Sequence, residues 1–320
     1  GFTKMNSKTR AFICGIKGLK LNKKEISFLK KYQPWGIILF SRNIKSIYQV
    51  KKLTDSIKKL LNSKYYPIFI DEEGGRVTRL YKLIENRSFN SEFYGKLYKK
   101  NYKKFLLYFT THIKQICYLL TQLGININTV PVLDLRRFRA NDIIGNRSFS
   151  ENPIIVSELG NICIKIYKNH NICNVIKHIP GHGLSRTDSH FKLPVTNKKY
   201  KFLIKNDFKA FMKKRALFAM TAHMTFSDID KKNPATLSSK VIKIIRKDIG
   251  FKNLILTDDI SMKALSNNIK LNTKKAFIAG CNLVLHCNAK MKEMVIVGEN
   301  SPYVNQFIKK KTMEFENTVR

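Results

Sequence analysis

At 320 residues, 43% of them hydrophobic, the chain is long enough to bury a sizeable core and has the size common to α/β barrels. Its net charge of +38 would suit a nucleic-acid or anionic partner, but the lysines are scattered as pairs and triplets among Asn and Ile with no basic arm or single basic helix, so compositional bias explains the charge at least as well; no specific nucleic acid is expected, and a basic nucleic-acid-binding protein is the alternative from another class. No run approaches the roughly 18 apolar residues of a membrane span, the apolar piece Ala11 to Ile16 is short for an export signal, and the six cysteines lack C-x-x-C spacing, which together suit a reduced, cytoplasmic protein. Met5 reads as a natural start, with residues 1–4 as an extension.

The apolar Ala11 to Ile16 is followed by a helical pattern over Leu21 to Tyr32, where Asn22 is placed as a cap with Glu25 three residues on. Trp35 to Phe40 has strand length, and Ile47, Val50, Leu53, Ile57 and Leu60 form a helical stripe. Tyr66 to Ile70 reads as a strand ending in Asp71. Tyr102 to Leu123 is a long helix stopped by Gly124, and Ile125 to Leu133 is a strand ending in Asp134. Asn152-Pro153 opens a helix to about Asn169. Cys173 to Ile176 is a strand predicted to stop where polar residues begin. Residues 198–214 are expected as one helix, and Ala216 to Met220 as a strand leading to His223. Ser238 or Ser239 caps a helix closed by Gly250, and Leu254 to Leu256 is a strand ending in Thr257-Asp258-Asp259. A helix ending at Ala279, a short strand at Leu283 to Leu285 and a helix near the C-terminus complete the chain.

About eight strand-helix units with continuous apolar strands predict an α/β fold, a single (β/α)8 TIM barrel over residues 1–320. Residues just past the strands (Arg42, Asp71, Asp134, Lys177, His178, His223, Asp258) would then converge on one face.

The richest stretch runs from Lys177 to His190. Pro180, Gly181 and Gly183 bar a helix through it, which separates His178 and His182 from the shared helical face of a zinc protease; a catalytic reading fits better than a metal site. Asp188 and His190 lie two apart, so in an extended loop the carboxylate can orient the imidazole as a general acid and base. Asp71 to Arg79 places acids and arginines around paired glycines, which suits hydrogen bonding to several hydroxyls as well as a plain salt-bridged turn. Gly145 to Phe149 contributes Arg147. Of the pair Asp258-Asp259, the first suits a nucleophile and the second a cap for a helix beginning near Ser261.

These stretches, with Gly36 to Asn43, Pro131 to Leu135 and Met220 to His223, resemble glycoside hydrolase family 3, in particular its single-domain β-N-acetylglucosaminidases. The resemblance spans nearly the whole chain, and Lys-His-Ile-Pro-Gly-His-Gly with Asp-Ser-His shortly after is specific to that group. Glu72 and Asn146 depart from its commoner residues. It implies Asp258 as nucleophile, His190 as acid and base supported by Asp188, and sugar recognition by Asp71, Arg79, Arg147, Lys177 and His178. It further implies a retaining mechanism without metal or cofactor, acting on N-acetylglucosamine-containing muropeptides in peptidoglycan recycling. A related β-glycosidase or an N-acetylglucosaminide phosphorylase is the alternative. Asp134 and His223 are left as either substrate contacts or braces of the barrel mouth, and the oligomeric state is not legible.

Overall fold

The computed structural model describes residues 7–138, 143–185, 192–265 and 267–320. The strands in chain order are β1 (Arg10–Gly15), β2 (Pro34–Leu39), β3 (Ile68–Ile70), β4 (Ile127–Asn128), β5 (Cys173–Ile179), β6 (Val195–Thr196), β7 (Phe218–Thr221), β8 (Thr225–Phe226), β9 (Leu254–Leu256) and β10 (Val284–His286). Eight of them run parallel in the order β10-β1-β2-β3-β4-β5-β7-β9, and a bridge from Leu256 to Leu283 brings the two ends together, giving the expected (β/α)8 barrel. β6 and β8 form a separate short ribbon.

The helices are α1 (Lys23–Tyr32), α2 (Ile47–Leu60), α3 (Ser91–Lys100), α4 (Tyr102–Leu123), α5 (Pro153–Asn169), α6 (Tyr200–Lys205), α7 (Ser239–Ile244), α8 (Ile269–Ala279), α9 (Met291–Asn300) and α10 (Gln306–Val319). Their starts follow the capping chemistry: Asn22 and Glu25 form a reciprocal capping box on α1, and Asn152 with Pro153 opens α5. Among the described residues no helix is long and apolar enough to cross a membrane.

Side-chain alternation along the strands builds two apolar layers. Phe12, Cys14, Ile37, Leu39, Ile68, Ile70, Ile176 and Ile255 pack against the helices. Ala11, Ile13, Ile38, Phe69, Ile127, Val175, Leu254 and Leu256 fill the barrel interior. At the bottom, α10 closes the barrel: Phe315 packs with its ring 6.0 Å from Trp35 and 6.3 Å from Phe218, and Trp35 Nε1 donates to Thr312 Oγ1 at 3.0 Å. Continuing the interior series two residues upward from Phe69, Ile127, Val175 and Leu256 gives Asp71, Thr129, Lys177 and Asp258. The period that fills the core therefore delivers polar groups to the rim.

Several sequence expectations need correction. The strand expected over Ile125 to Leu133 is only Ile127–Asn128, because Val130 folds back to Asn128 O and Pro131 has no N–H to offer; Val132 still bridges Lys177. β5 does not stop at Ile176 but runs to Ile179, since Leu133 N donates to Lys177 O and Ala222 N to Ile179 O. The helix expected over 198–214 breaks after Lys205, where Asn206 leaves the helical region and turns its amide back onto Phe202 O, and a short 3-10 turn follows at Phe208–Phe211. Among the described residues no helix begins near Ser261: residues 261–265 are turn, bend and irregular backbone, and α8 starts later under an Asn268 cap. Two helices, α9 and α10, occupy the C-terminal region where one was expected.

Candidate active site

A cavity of about 870 Å³ opens at the strand ends, and Asp71, Arg79, Arg147, Lys177, His178 and Asp258 all line it. Six of the eight residues singled out from sequence are thus brought together. The other two, Asp188 and His190, lie outside the described residues.

The segment after β3 is shaped by Gly74 and Gly75, both at positive φ (86° and 66°), and a Cβ on Gly74 would meet Phe89 O at 2.3 Å. This turn lets Glu73 N and Gly74 N both donate to Val77 O. Glu72 points into the protein and accepts from Thr78 Oγ1 (2.6 Å), Arg79 N (2.7 Å), Leu80 N (3.0 Å) and Asn86 Nδ2 (2.6 Å). Burial raises its carboxyl above the usual glutamate range, and these donors oppose the rise. Arg79, fastened through its backbone, reaches Asp71 Oδ2 at 3.0 Å and stacks over Phe40 at 5.1 Å.

Glu73 was not picked out from sequence, yet it is the centre of the charged rim. Its side chain is only 3% exposed; it takes a two-pronged contact from Arg147 (2.8 and 2.9 Å) and a third from Lys177 Nζ at 2.7 Å. Burial acts to raise the Glu73 carboxyl, but Lys177 and Arg147 hold it far below the usual range. Lys177 Nζ also donates to Thr129 Oγ1 at 2.9 Å, and Thr129 in turn donates to Asp71 Oδ1 at 2.5 Å. Its sequence signal is that of the acid-rich stretch Asp71 to Arg79 as a whole, within which it is spaced two residues from Asp71.

Lys177 and His178 are consecutive, so a regular strand would send them to opposite faces. Between Lys177 and Ile179, β5 advances two residues while β7 advances from Met220 to Thr221. This irregularity turns His178 toward the rim as well. His178 Nδ1 lies 2.7 Å from Asp134 Oδ2, and its Nε2 stands 3.9 Å from Asp258 Oδ2. Gly183 packs under the same turn, where a Cβ would sit 2.4 Å from Leu135 O. His182 also lines the cavity; burial, then the neighbouring His178, lowers its imidazole to about 4, so it is neutral at physiological pH.

Asp258 is partly exposed to the cavity and accepts from Asp259 N at 2.7 Å. Burial pushes its carboxyl up, but His223, His178, the Asp259 N–H and Lys177 bring it below the ordinary aspartate value, so it is ionised at neutral pH. Asp259 caps no helix: its carboxylate accepts from Ser261 N and Oγ and from Cys287 N. His223 braces this turn, with Nε2 at 2.8 Å from Asp259 O and Nδ1 at 2.7 Å from Thr236 Oγ1. Among the described residues no three His, Cys, Asp or Glu side chains converge as a metal-binding group.

An ionised carboxylate facing a ring of acids and cations, at the strand ends of a parallel barrel, is a layout that suits a barrel glycosidase. The family profile described as "Glycosyl hydrolase family 3 N terminal domain" matches residues 6–317, and the chain belongs to that family. A β-hexosaminidase of Neisseria meningitidis serogroup A / serotype 4A is 35% identical over 283 residues, covering 85% of this chain and 76% of the relative. A β-hexosaminidase of Nitrosomonas eutropha is 34% identical over 268 residues, 79% of this chain and 73% of the relative. The crystal structure of NagZ from Neisseria gonorrhoeae in complex with N-trifluoroacetyl-D-glucosamine superposes with a TM-score of 0.86 at 30% identity, covering 96% of this chain and 90% of that one.

Proposed function

We propose that the chain is a retaining exo-β-N-acetylglucosaminidase that releases N-acetylglucosamine from muropeptides, with Asp258 as nucleophile. The observation that carries this reading is the placement of Asp258, ionised and open to the cavity, on the same rim as Asp71, Arg79, Arg147, Lys177 and His178. Solved and curated relatives named for glucosamine-containing ligands and hexosaminidase activity support the choice of sugar.

In the first half-reaction His190, oriented by Asp188, gives its proton to the glycosidic oxygen while Asp258 attacks the anomeric carbon. The bond to the leaving group breaks as the bond to the Asp258 carboxylate forms. In the second, the neutral His190 takes a proton from water, the oxygen attacks the anomeric carbon, and the Asp258 ester breaks to release the sugar. Arg147 and Lys177 are held rigid by Glu73 and present fixed positive charge to the ring hydroxyls. The leaving group we assign is anhydro-N-acetylmuramic acid bearing peptide, and the role we assign is cytoplasmic peptidoglycan recycling. The net charge of +38 does not repel an acidic leaving group.

Chromophore release from an aryl N-acetyl-β-glucosaminide tests the reading. Wild type is expected to release it, Asp258→Asn and His190→Ala to lose most of the rate, and the sugar product to be free N-acetylglucosamine with or without added phosphate. Wild-type rates in both variants would overturn the residue assignment, and a glycosyl phosphate as main product would replace hydrolysis by phosphorolysis.

A further inference from the structure

Asp134 takes no part in the bond making and breaking above, yet it is fully buried directly behind His178, which lines the cavity. Its Oδ1 accepts the backbone N–H of His178 at 3.1 Å and of His182 at 2.8 Å, and its Oδ2 lies 2.7 Å from His178 Nδ1. Pairing of Leu133 N with Lys177 O fixes the two segments side by side, so this approach is set by the barrel itself. An ionised carboxylate can only accept, so the hydrogen on the short contact belongs to Nδ1. That leaves Nε2 as the atom turned to the cavity. At 3.9 Å from Asp258 Oδ2 it is too far for a direct hydrogen bond to that group. The His182 ring stands edge-on with its centroid 5.7 Å away.

We propose that Asp134 is a positioning residue that fixes His178 as the Nδ1–H tautomer and so makes Nε2 the acceptor for a substrate hydroxyl. The inference rests on the assignment of His178 to sugar recognition. Asp134 also ties down the turn from His178 to His182, and that fastening alone would affect stability without fixing a tautomer.

Asp134→Asn separates the two roles. Its amide oxygen can still accept the two backbone N–H groups, but its NH2 would face Nδ1 and drive the proton to Nε2. The test combines nitrogen NMR of 15N-histidine-labelled protein, with His178 identified by its loss in His178→Gln, and kinetics on an aryl N-acetyl-β-glucosaminide. Wild type is expected to show the Nδ1–H pattern for His178 and Asp134→Asn the Nε2–H pattern. KM is expected to rise about 10-fold or more in Asp134→Asn, the lower end of the loss that follows removal of the partner behind a metal-bound histidine, with kcat changing less. In a His178→Gln background the same change is expected to add no more than about twofold. A wild-type Nε2–H pattern overturns the proposal, as does an Asp134→Asn effect undiminished without His178. If Asp134→Asn fails to fold, the wild-type spectrum decides by itself. A wild type that folds but does not cleave the glycoside defeats the proposed function, while the tautomer is still read without substrate.

Discussion

The two ends of this barrel interior are built from the same alternating strands and hold together by opposite means. At the bottom Trp35, Phe69, Phe218 and Phe315 interlock, and the indole N–H reaches Thr312. At the top Glu73, Lys177, Asp134 and His178 are as deeply placed, but each is a polar or charged group kept only by its partners. Apolar burial stabilises the bottom outright, whereas at the top desolvation works against Glu73, Asp134 and Asp258, and neighbouring hydrogen-bond donors and positive groups reverse it. The arrangement at the top gains fixed geometry for a ligand instead.

Substitutions at the two ends should therefore separate chemistry from stability. Asp258→Asn is expected to lower kcat by about 10³-fold or more while leaving the melting temperature close to wild type, read by steady-state kinetics and calorimetry. Glu73→Gln leaves Lys177 and Arg147 buried with a weakened partner; chemical denaturation is expected to show a loss of about 3–5 kcal/mol, with activity falling alongside. Phe315→Ala should cost a comparable 3–5 kcal/mol or so through the cavity it opens, yet keep kcat/KM within about twofold. A large kinetic effect from Phe315→Ala would erase the distinction between the ends.

Acid should act by a predictable sign. Burial lowers to about 4 the imidazoles of His182 at the rim and of His112 on α4, which lies between Tyr94 Oη (2.7 Å) and Asn86 Oδ1 (2.6 Å), from an ordinary 6.5, so below pH 6.5 the unfolded chain binds protons that the folded one refuses. The melting temperature is expected to fall as pH drops from 6.5 toward 4. It should fall further below that as Glu73, Asp134 and Asp258, all held below their ordinary values, face unfolded counterparts that protonate near 4. A melting temperature flat between pH 6.5 and 4 would contradict the neutral, buried state of the two histidines. The smallest effect belongs to Thr312→Val, which leaves the Trp35 N–H without a partner and should cost about 1–2 kcal/mol with kinetics untouched.

Much of the barrel was legible because strand and helix periods carry the burial pattern directly: the runs at Trp35 to Phe40 and Leu254 to Leu256, and the caps at Asn22 and Asn152, all lie where their chemistry places them. Errors gathered where tertiary pairing overrides local polarity. Lys177 and His178 look like the start of a loop, but Pro131 and Leu133 on the neighbouring segment keep them in the strand. Asp259 looks like a helix cap, but Ser261 and Cys287 occupy its carboxylate. The site was legible as a set of residue types after strands, and six of its members share one cavity. Glu73 was not, because an acid beside Gly74 reads as a surface turn until Lys177, from β5, and Arg147, from the turn at Gly145–Arg147, arrive to bury it.

The most direct test of the central claim is to trap the glycosyl-enzyme. Incubation with a 5-fluoro N-acetylglucosaminyl fluoride, followed by proteolysis and mass spectrometry, should find one fluorosugar bonded to the peptide containing Asp258, and none in Asp258→Asn. A sugar on another carboxylate would move the nucleophile elsewhere on the rim, and turnover of the reagent with no covalent adduct would contradict a retaining mechanism.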